Sequence, residues 1–221
     1  MKTFSTLLII FCLLFNTETF GQKILNDVVL TYDISIESAK GEKQVAGGLN
    51  GATLSLYLTK DRSRSEMIST PGTESTVFDN KIDKGFILKE YSGQKLMVTT
   101  NGDNWSQKNQ TNSKLKFDIL NGTEVIAGYN CKKATAVSAD GKLYTVYFDP
   151  TYSITNKSYN NAFPQIPGLP VQYELASGNL IFKYLLSKLS NESINASKFE
   201  PPKSGFRIMT YEENQQLKKG E

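Results

Sequence analysis

Histidine is absent from the 221-residue sequence. It is the usual general base of catalytic triads and a common ligand of zinc and non-haem iron, so its absence excludes those sites. The sequence also has no GxSxG, HExxH, Walker A or GxGxxG motif. The glycines at Gly47, Gly48 and Gly51 lack the Lys-Ser or Lys-Thr pair of a phosphate-binding loop. We therefore predict a protein that is not an enzyme and that holds no cofactor or metal ion.

Cysteine is almost as scarce, since Cys12 and Cys131 are the two residues of this type. Cys12 lies inside an N-terminal apolar run rather than directly after a cleavage site, so a lipid anchor is not expected. Removal of that run leaves no second thiol for an intramolecular disulfide. A single thiol can pair between chains or react, but it is more often a small buried apolar residue. We predict that Cys131 is buried.

The N-terminus has the organisation of a secretory signal peptide. Lys2 gives a short positive region, and a mainly apolar run, Phe4–Phe15, follows it. That run is too short to cross a bilayer, which takes about 20 residues, but it has the length of a signal-peptide core. An uncleaved membrane anchor fits the short run less well. We predict cleavage after Gly21, which makes residues 1–21 a signal peptide and residues 22–221 a single exported domain.

The charge balance is mild, with 25 Lys and Arg residues against 22 Asp and Glu residues and a net charge of +3. Nucleic-acid-binding proteins usually carry a strongly basic face, so no nucleic-acid partner is expected. No later apolar run is long enough to span a membrane, and we expect no transmembrane segment after cleavage. About 200 residues are enough for one domain with its own core.

Alternating apolar and polar residues dominate the rest of the chain and predict β-strands. In the clearest case, Val28, Leu30, Tyr32, Ile34 and Ile36 fall on one face of a strand. Similar patterns predict strands over residues 52–58, 62–69, 75–79, 85–91, 95–99, 132–138, 142–148, 171–176 and 179–186. The 62–69 segment is the most polar of these, and we predict that it lies near a sheet edge. About ten strands with few helices predict a sandwich, an open barrel or a strongly curved sheet.

Turn signals separate these strands. Asp140-Gly141 favours the positive φ of a tight hairpin. The polar segments Lys40–Asn50 and Ser106–Lys114 predict loops. Asn101–Asn104 (NGDN) predicts a turn, with too few oxygen ligands for a calcium site of the EF-hand type.

One helix has signals at both ends. Thr210 and Glu213 form a capping box at its start, and Lys218–Lys219 suit its end. Its apolar content is thin, chiefly Tyr211 and Leu217. We therefore predict a short helix at the surface.

A pair of carboxylates can hydrolyse a glycosidic bond without histidine. The strand-like segments contain four candidates, Glu66, Asp79, Asp118 and Glu174. Because the chain contains 22 acidic residues, such candidates are expected by chance. A carboxylate-based glycan hydrolase is therefore a minor hypothesis.

Prolines recur at every third position in the segment FPQIPGLP, residues 163–170, which we call the proline segment. The spacing matches a polyproline helix, which could be a preformed ligand for a partner groove. The alternative, which we favour, is a rigid crossover whose apolar residues cover the end of the sheet. The candidate partner or ligand surface consists of Pro164, Ile166, Pro167, Leu169 and Pro170. Two tyrosine pairs, Tyr144–Tyr147 and Tyr173–Tyr184, could line an apolar cavity or pack across strands.

Three segments of the C-terminal half match one pattern: GYNCKKA at residues 128–134, YTVYF at 144–148 and GLP at 168–170. This order resembles the GLPGLI family of exported Gram-negative bacterial proteins, in which a G-Y-x-C-x-K-A strand precedes an aromatic strand and a G-L-P segment. Val171-Gln172-Tyr173 stands where the family has Gly-Leu-Ile. The chain therefore resembles a sibling branch of that family.

The resemblance implies a fold more than a chemistry. The family is similar in shape to the LolA-like lipoprotein carriers, in which an open, curved β-sheet surrounds an apolar cavity. We therefore predict a mainly β fold, an antiparallel, strongly curved sheet or open half-barrel of about ten strands with few short helices.

Our leading hypothesis is a non-catalytic protein of the periplasm or outer-membrane periphery of a Gram-negative bacterium. It would bind an apolar, lipid-like ligand or an extended partner segment in an open β-barrel. The alternative is a structural or interaction subunit of an envelope complex, docked through an edge strand or the proline segment. A glycan hydrolase is the third hypothesis.

Overall fold

The computed structural model describes residues 21–38, 48–138, 141–156, 159, 163, 165–177 and 179–219. The predicted signal peptide, most of the predicted Lys40–Asn50 loop and the turn residues Ala139-Asp140 lie outside the described residues. Within the described ranges, no helix is long and apolar enough to cross a membrane.

Fifteen strands account for most of the described chain. Their bounds are β1 (Lys23–Leu25), β2 (Val28–Ser38), β3 (Thr53–Leu58), β4 (Arg62–Ser69), β5 (Gly72–Asp79), β6 (Lys84–Tyr91), β7 (Gln94–Asn101), β8 (Asp118–Ile119), β9 (Glu124–Ile126), β10 (Tyr129–Val137), β11 (Leu143–Asp149), β12 (Tyr152–Ile154), β13 (Leu169–Ser177), β14 (Leu180–Ser190) and β15 (Arg207–Thr210). The helices are α1 (Gly102–Ser113) and α2 (Tyr211–Lys219), with a 3₁₀ turn at Ala196–Phe199.

Thirteen of these strands form one open sheet in the order β15-β7-β6-β5-β4-β3-β2-β14-β13-β11-β10-β8, with β9 also paired to β10. All its pairs are antiparallel except β15 with β7. β1 and β12 form a separate parallel pair. The predicted mainly β, antiparallel fold is confirmed. The strands number more than about ten because β1, β8, β9, β12 and β15 are too short to show an alternating pattern.

β2 lies in the middle of the sheet and distinguishes its two faces. Leu30, Tyr32 and Ile34 are buried on one side, which we call the inner face, and the intervening residues point to the outer face. Antiparallel pairing transmits this alternation to the neighbouring strands. Tyr32 lies opposite Leu186 of β14 on one side and Leu54 of β3 on the other.

The largest core cluster lies on the inner face. Side chains from β2 and from the strands that follow it in the sheet, β14, β13, β11 and β10, form this cluster. Tyr32, Phe148 and Leu169 are among its fully buried members. Phe163 and Ile166, from the connection between β12 and β13, are buried in the same cluster. The proline segment therefore closes this end of the inner face with apolar side chains.

The β10–β11 and β13–β14 hairpins are both present, as predicted. Val137 lies opposite Leu143 in the first, and Ser177 lies opposite Leu180 in the second. The apolar segment that begins at Leu180 is a strand rather than a helix, also as predicted.

α1 occupies the segment for which the sequence predicts a turn and a polar loop, so this prediction is wrong. Trp105 is the one apolar residue of the helix sequence, which gives no 3.6-residue pattern. Contacts with the sheet hold the helix instead: the Trp105 ring stacks on Phe78 with centroids 4.7 Å apart. At its start, the side chain of Asn101 accepts a hydrogen bond from the backbone N–H of Asn104 at 2.9 Å. Packing and capping thus outweigh the weak local pattern.

β4 is also placed differently from the prediction, because it pairs with β3 and β5 and is not an edge strand. Its charged residues are accommodated by a later part of the chain. Arg64 and Glu66 form an ion pair on the outer face. Arg64 Nη1 also donates a hydrogen bond to the carbonyl of Lys198 at 3.0 Å. A polar strand can therefore be central when a distant segment covers and pairs its side chains.

The chain after β14 packs on the outer face of β5 and β6 and then forms β15 and α2. Phe199, in the 3₁₀ turn, clusters with Val77 and Phe86. The predicted capping box of α2 is confirmed. The backbone N–H of Thr210 donates to Glu213 Oε2 at 2.7 Å, and the backbone N–H of Glu213 donates to Thr210 Oγ1 at 3.2 Å.

Substitution of Leu169 tests the role of the proline segment in the core. Leu169 is 0% exposed, so Leu169→Ala should lower the free energy of unfolding by about 2–5 kcal/mol. Leu143→Ala is the control, because that side chain is 63% exposed and its loss should cost less than about 0.5 kcal/mol. Urea denaturation measures both variants, and equal losses would contradict the assignment of Leu169 to the core.

Candidate ligand-binding face

The structure does not bring the four candidate carboxylates together. Glu66 lies on β4, Asp79 on β5, Asp118 on β8 and Glu174 on β13. Glu66 is opposite Ser75, whereas Asp79 is four positions further along β5. Four positions correspond to about 13 Å, beyond the roughly 9.5 Å that separates the widest glycosidase carboxylate pairs. The arrangement gives no carboxylate pair of glycosidase geometry on β4 and β5.

Two of these carboxylates have local structural partners. Asp79 Oδ1 accepts a hydrogen bond from the backbone N–H of Lys81 at 2.9 Å, in the turn after β5. Glu174 Oε1 lies 3.6 Å from Lys183 Nζ on the adjacent strand. In the part of the chain that the structure describes, no group of three or more cysteine and acidic side chains is placed to hold a metal ion.

Glu66 is the centre of a polar cluster on the outer face. Arg64 Nε donates to Glu66 Oε2 at 3.0 Å. The Tyr57 hydroxyl and Lys198 Nζ donate to Glu66 Oε1, each at 3.4 Å. Partial burial raises the pKa of Glu66, but the hydrogen bonds and charges of Arg64 and Lys198 outweigh it and lower the pKa. An ionised, fully partnered carboxylate of this kind fastens the C-terminal segment to the sheet and is not a general acid.

Cys131 is buried, as predicted. Burial, with a smaller contribution from the nearby Asp149 carboxylate, raises the pKa of its thiol to about 11. The thiol therefore stays protonated at neutral pH, and a protonated thiol is a poor nucleophile. The side chain contributes to packing.

The proline segment is not an exposed polyproline helix over its whole length. Leu169 and Pro170 are the first residues of β13, and both are buried. Ile166 is buried as well, whereas Pro167 is exposed. Pro164 lies outside the described residues. The described part of the segment thus supplies core packing, and Pro167 is the one candidate residue that it presents to solvent.

Aromatic rings fill the inner face beside this segment. Tyr173 stacks on Tyr184 at 4.6 Å between ring centroids and meets Tyr32 edge-on at 5.4 Å and Phe163 edge-on at 5.1 Å. The Tyr32 hydroxyl donates to the carbonyl of Pro170 at 2.8 Å. Burial raises the pKa of Tyr184 to about 12 and those of Tyr32 and Tyr173 well above their usual value. The predicted Tyr173–Tyr184 pair is therefore part of a neutral aromatic surface.

The second predicted tyrosine pair does not line one surface. Tyr144 and Tyr147 are three positions apart on β11, so they point to opposite faces. Tyr144 is buried, whereas the Tyr147 ring lies 5.5 Å from Lys133 Nζ. Of the two alternatives for this pair, a shared cavity lining is therefore excluded, because a shared face requires an even separation along a strand.

A row of half-buried apolar side chains continues the inner face beyond these rings. We call it the inner-face strip, and its members are Leu54, Met67, Leu180, Phe182 and Tyr184. They pack against Ile34 and Ile36 of β2, which are buried. The register places Leu54 between Tyr32 and Met67. The strip therefore crosses the sheet from β14, over β2 and β3, to β4.

Charged residues and α1 bound the inner-face strip. Glu74 and Lys89 follow Met67 in register on β5 and β6, so the same row becomes charged. The adjacent row is covered by α1, where Lys108 Nζ donates to Thr76 Oγ1 at 3.3 Å. An apolar floor that ends in charged groups suits a molecule with an apolar chain and a polar end.

The sequence does not single out the inner-face strip. Leu54 and Met67 lie in predicted strands, and the one available signal is that Met67 and Ile68 are apolar in a strand whose other residues are polar. Their partial exposure depends on where α1 and the proline segment stop covering the sheet. Local periodicity does not encode that boundary.

No protein-family model and no characterised protein sequence matches the chain. Solved structures of similar fold do match it. An uncharacterised conserved protein from Thermus thermophilus has a TM-score of 0.51 and 9% identity, covering 84% of this chain and 90% of that chain. A LolA superfamily protein from Nitrosomonas europaea has a TM-score of 0.39 and 9% identity, covering 80% and 90%. PNGF-II has a TM-score of 0.46 and 14% identity over 87% of this chain, which spans only 32% of PNGF-II.

At such low identities the similarity shows the fold alone. The chain shares a mainly β architecture with the Thermus protein. Membership of the GLPGLI family stays a prediction.

Glu66→Gln tests the polar cluster on the outer face. The change removes the charge that Arg64 and Lys198 face, and we expect the free energy of unfolding at neutral pH to fall by about 1–3 kcal/mol. Glu90→Gln is the matched control, because its pair with Lys95 is much more exposed and should contribute less than about 1 kcal/mol.

The effect of Glu66→Gln should also depend on pH. Because the pKa of Glu66 is lowered in the folded state, its contribution is fully present above the pKa of the unfolded chain. The contribution is lost as the pH falls through the folded-state pKa. Urea titrations at neutral and acid pH should therefore show the two proteins converging in acid, and a constant difference would contradict an ionised Glu66.

Proposed function

We propose that this protein is a non-catalytic binding protein of the bacterial cell envelope, and that its inner face binds an apolar, lipid-like ligand. The inner-face strip carries this proposal, because its apolar side chains stay partly exposed beside a buried core. Leaving apolar surface in water costs roughly 25 cal/mol per Å², and a bound apolar molecule recovers that free energy. Grouped, partly exposed apolar residues mark binding surfaces more often than scattered ones do.

The two ends of the strip differ in a way that suits an amphiphile. Tyr184 stacks on Tyr173 at one end and offers a neutral aromatic wall. Glu74 and Lys89 lie beyond Met67 at the other end. An acyl chain can lie along the strip with its polar end toward these charges.

The absence of catalysis and the envelope location are parts of the same proposal. Non-catalytic binding is supported by the lack of histidine and by the separation of Glu66 from Asp79 on neighbouring strands. The envelope location rests on the signal-peptide pattern of residues 1–21. The separation of Glu66 from Asp79 also argues against a glycan hydrolase.

Native mass spectrometry of residues 22–221, purified from the organism's own envelope, tests the proposal. We expect a bound mass in the range of a lipid, released by collisional activation. A bound peptide mass would instead support an extended partner segment as the occupant. An unliganded protein that also fails to bind added fatty acids would overturn the lipid proposal.

Two neighbouring substitutions on β4 locate the binding face. Met67→Gln places a polar amide in the strip, and we expect it to weaken the binding of cis-parinaric acid, a fluorescent fatty acid, about fivefold to tenfold. Ile68→Gln is the control, since Ile68 points to the outer face and is 50% exposed. Fluorescence titration measures both affinities. Equal effects of the two substitutions would contradict binding at the inner face.

A further inference from the structure

The sheet ends at β15, a four-residue strand that pairs in parallel with β7. In the described part of the chain, no strand pairs with the other side of β15. Natural proteins usually protect such an edge, because its backbone groups can pair with another chain. The direction of its backbone groups, the grooves beside it and the nearby charges indicate which kind of partner this edge can bind.

The direction of the backbone groups follows from two hydrogen bonds. The N–H of Thr210 donates to the Glu213 carboxylate at 2.7 Å, so it points away from β7. The Met209 carbonyl accepts from Thr99 Oγ1 of β7 at 3.4 Å, so it points toward β7. Because alternate residues of a strand direct their N–H and C=O groups to the same side, Ile208 points them outward, like Thr210. The edge thus offers one donor and one acceptor at Ile208.

Two overlapping grooves lie along this strand. One, of about 340 Å³, runs between β15 and α2 and is lined by Arg207, Ile208, Met209, Glu213, Gln216 and Leu217. The other, of about 580 Å³, shares Arg207, Met209 and Leu217 and extends to Lys89 and Leu96. Ile208 is 64% exposed and Leu217 is 55% exposed, so apolar side chains lie beside the free backbone groups.

The charges at the edge favour an anionic partner. Among the described residues, Arg207 has no carboxylate partner. Lys89, which lines the larger groove with Arg207, has no carboxylate partner among these residues either, whereas Lys95 is paired with Glu90 at 2.7 Å. Glu213 keeps its negative charge, because its bond from the Thr210 N–H is to a neutral donor. Two cations without carboxylate partners therefore stand against one carboxylate beside the free edge.

We propose that the β15 edge binds an extended, acidic segment of a partner protein, which adds to the sheet as a further strand. The backbone groups of Ile208 pair with the segment, apolar side chains of the segment contact Ile208 on one face, and a carboxylate meets Arg207 on the other face. A second copy of this chain is a poorer occupant, because antiparallel pairing about Ile208 would place two Arg207 side chains on the same face. This inference does not depend on the ligand of the inner face.

A synthetic peptide tests the proposal with the mature chain, residues 22–221. The probe is a short, end-capped, fluorescein-labelled peptide that alternates valine and glutamate, and fluorescence anisotropy measures its affinity. We expect saturable binding that Arg207→Glu weakens about tenfold or more, because like charges then oppose each other. Lys203→Glu makes the same charge change on an exposed residue outside the grooves and should alter the affinity less than twofold. Circular dichroism checks that both variants are folded.

Two modified peptides decide between strand addition and other modes of binding. N-methylation at the central residue removes one backbone donor and should abolish binding, and replacement of glutamate by lysine should do the same. Undiminished binding of the methylated peptide, or equal losses in the Arg207→Glu and Lys203→Glu variants, would overturn the proposal. So would a complete lack of saturable binding, or self-association that excludes the peptide.

Discussion

β2 pairs with β14 on one side and with β3 on the other, and this pairing determines the two faces of the whole sheet. Because residues alternate along a strand, this register decides which side chains of every later strand face inward. Tyr32 and Ile34 face inward, and Leu54 and Tyr184 follow from their pairing. A slip by one residue would move the aromatic rings and the apolar strip together to the outer face. The candidate site is therefore a direct result of strand register.

Different elements cover the two ends of the inner face. The proline segment fills one end with Ile166 and Leu169, and α1 covers part of the other end through Trp105. Between them the inner-face strip is only half-buried. On the outer face, Glu66 holds the C-terminal segment through Arg64 and Lys198, which leads the chain to β15 and the free edge. One sheet thus provides two surfaces of different chemistry. The inner-face strip is apolar, whereas the β15 edge offers the unpaired backbone groups of Ile208 and the positive charge of Arg207.

Whether an element of the fold can be predicted from the sequence depends on how far apart in the sequence its stabilising residues lie. Strands with regular alternation, the hairpins and the capping box at Thr210 and Glu213 are predictable, because neighbouring residues determine them. α1 is not, because its stability comes from Trp105 on a strand distant in sequence. The central position of β4 is not predictable either, since Arg64 and Glu66 are covered by a segment more than a hundred residues later. The partial exposure of the inner-face strip depends on long-range cover as well, by α1 and the proline segment.

Methyl NMR spectroscopy can show directly whether the half-buried part of the inner face binds an apolar ligand. A long-chain fatty acid would be titrated into protein labelled at its Met, Leu and Ile methyl groups. If the ligand binds there, saturable shifts are expected at Met67 and Leu54, while Ile68 and Leu185, which point to the outer face, stay unchanged. Shifts confined to the outer face, or none at Met67 and Leu54 when the fatty acid is in excess, would contradict it.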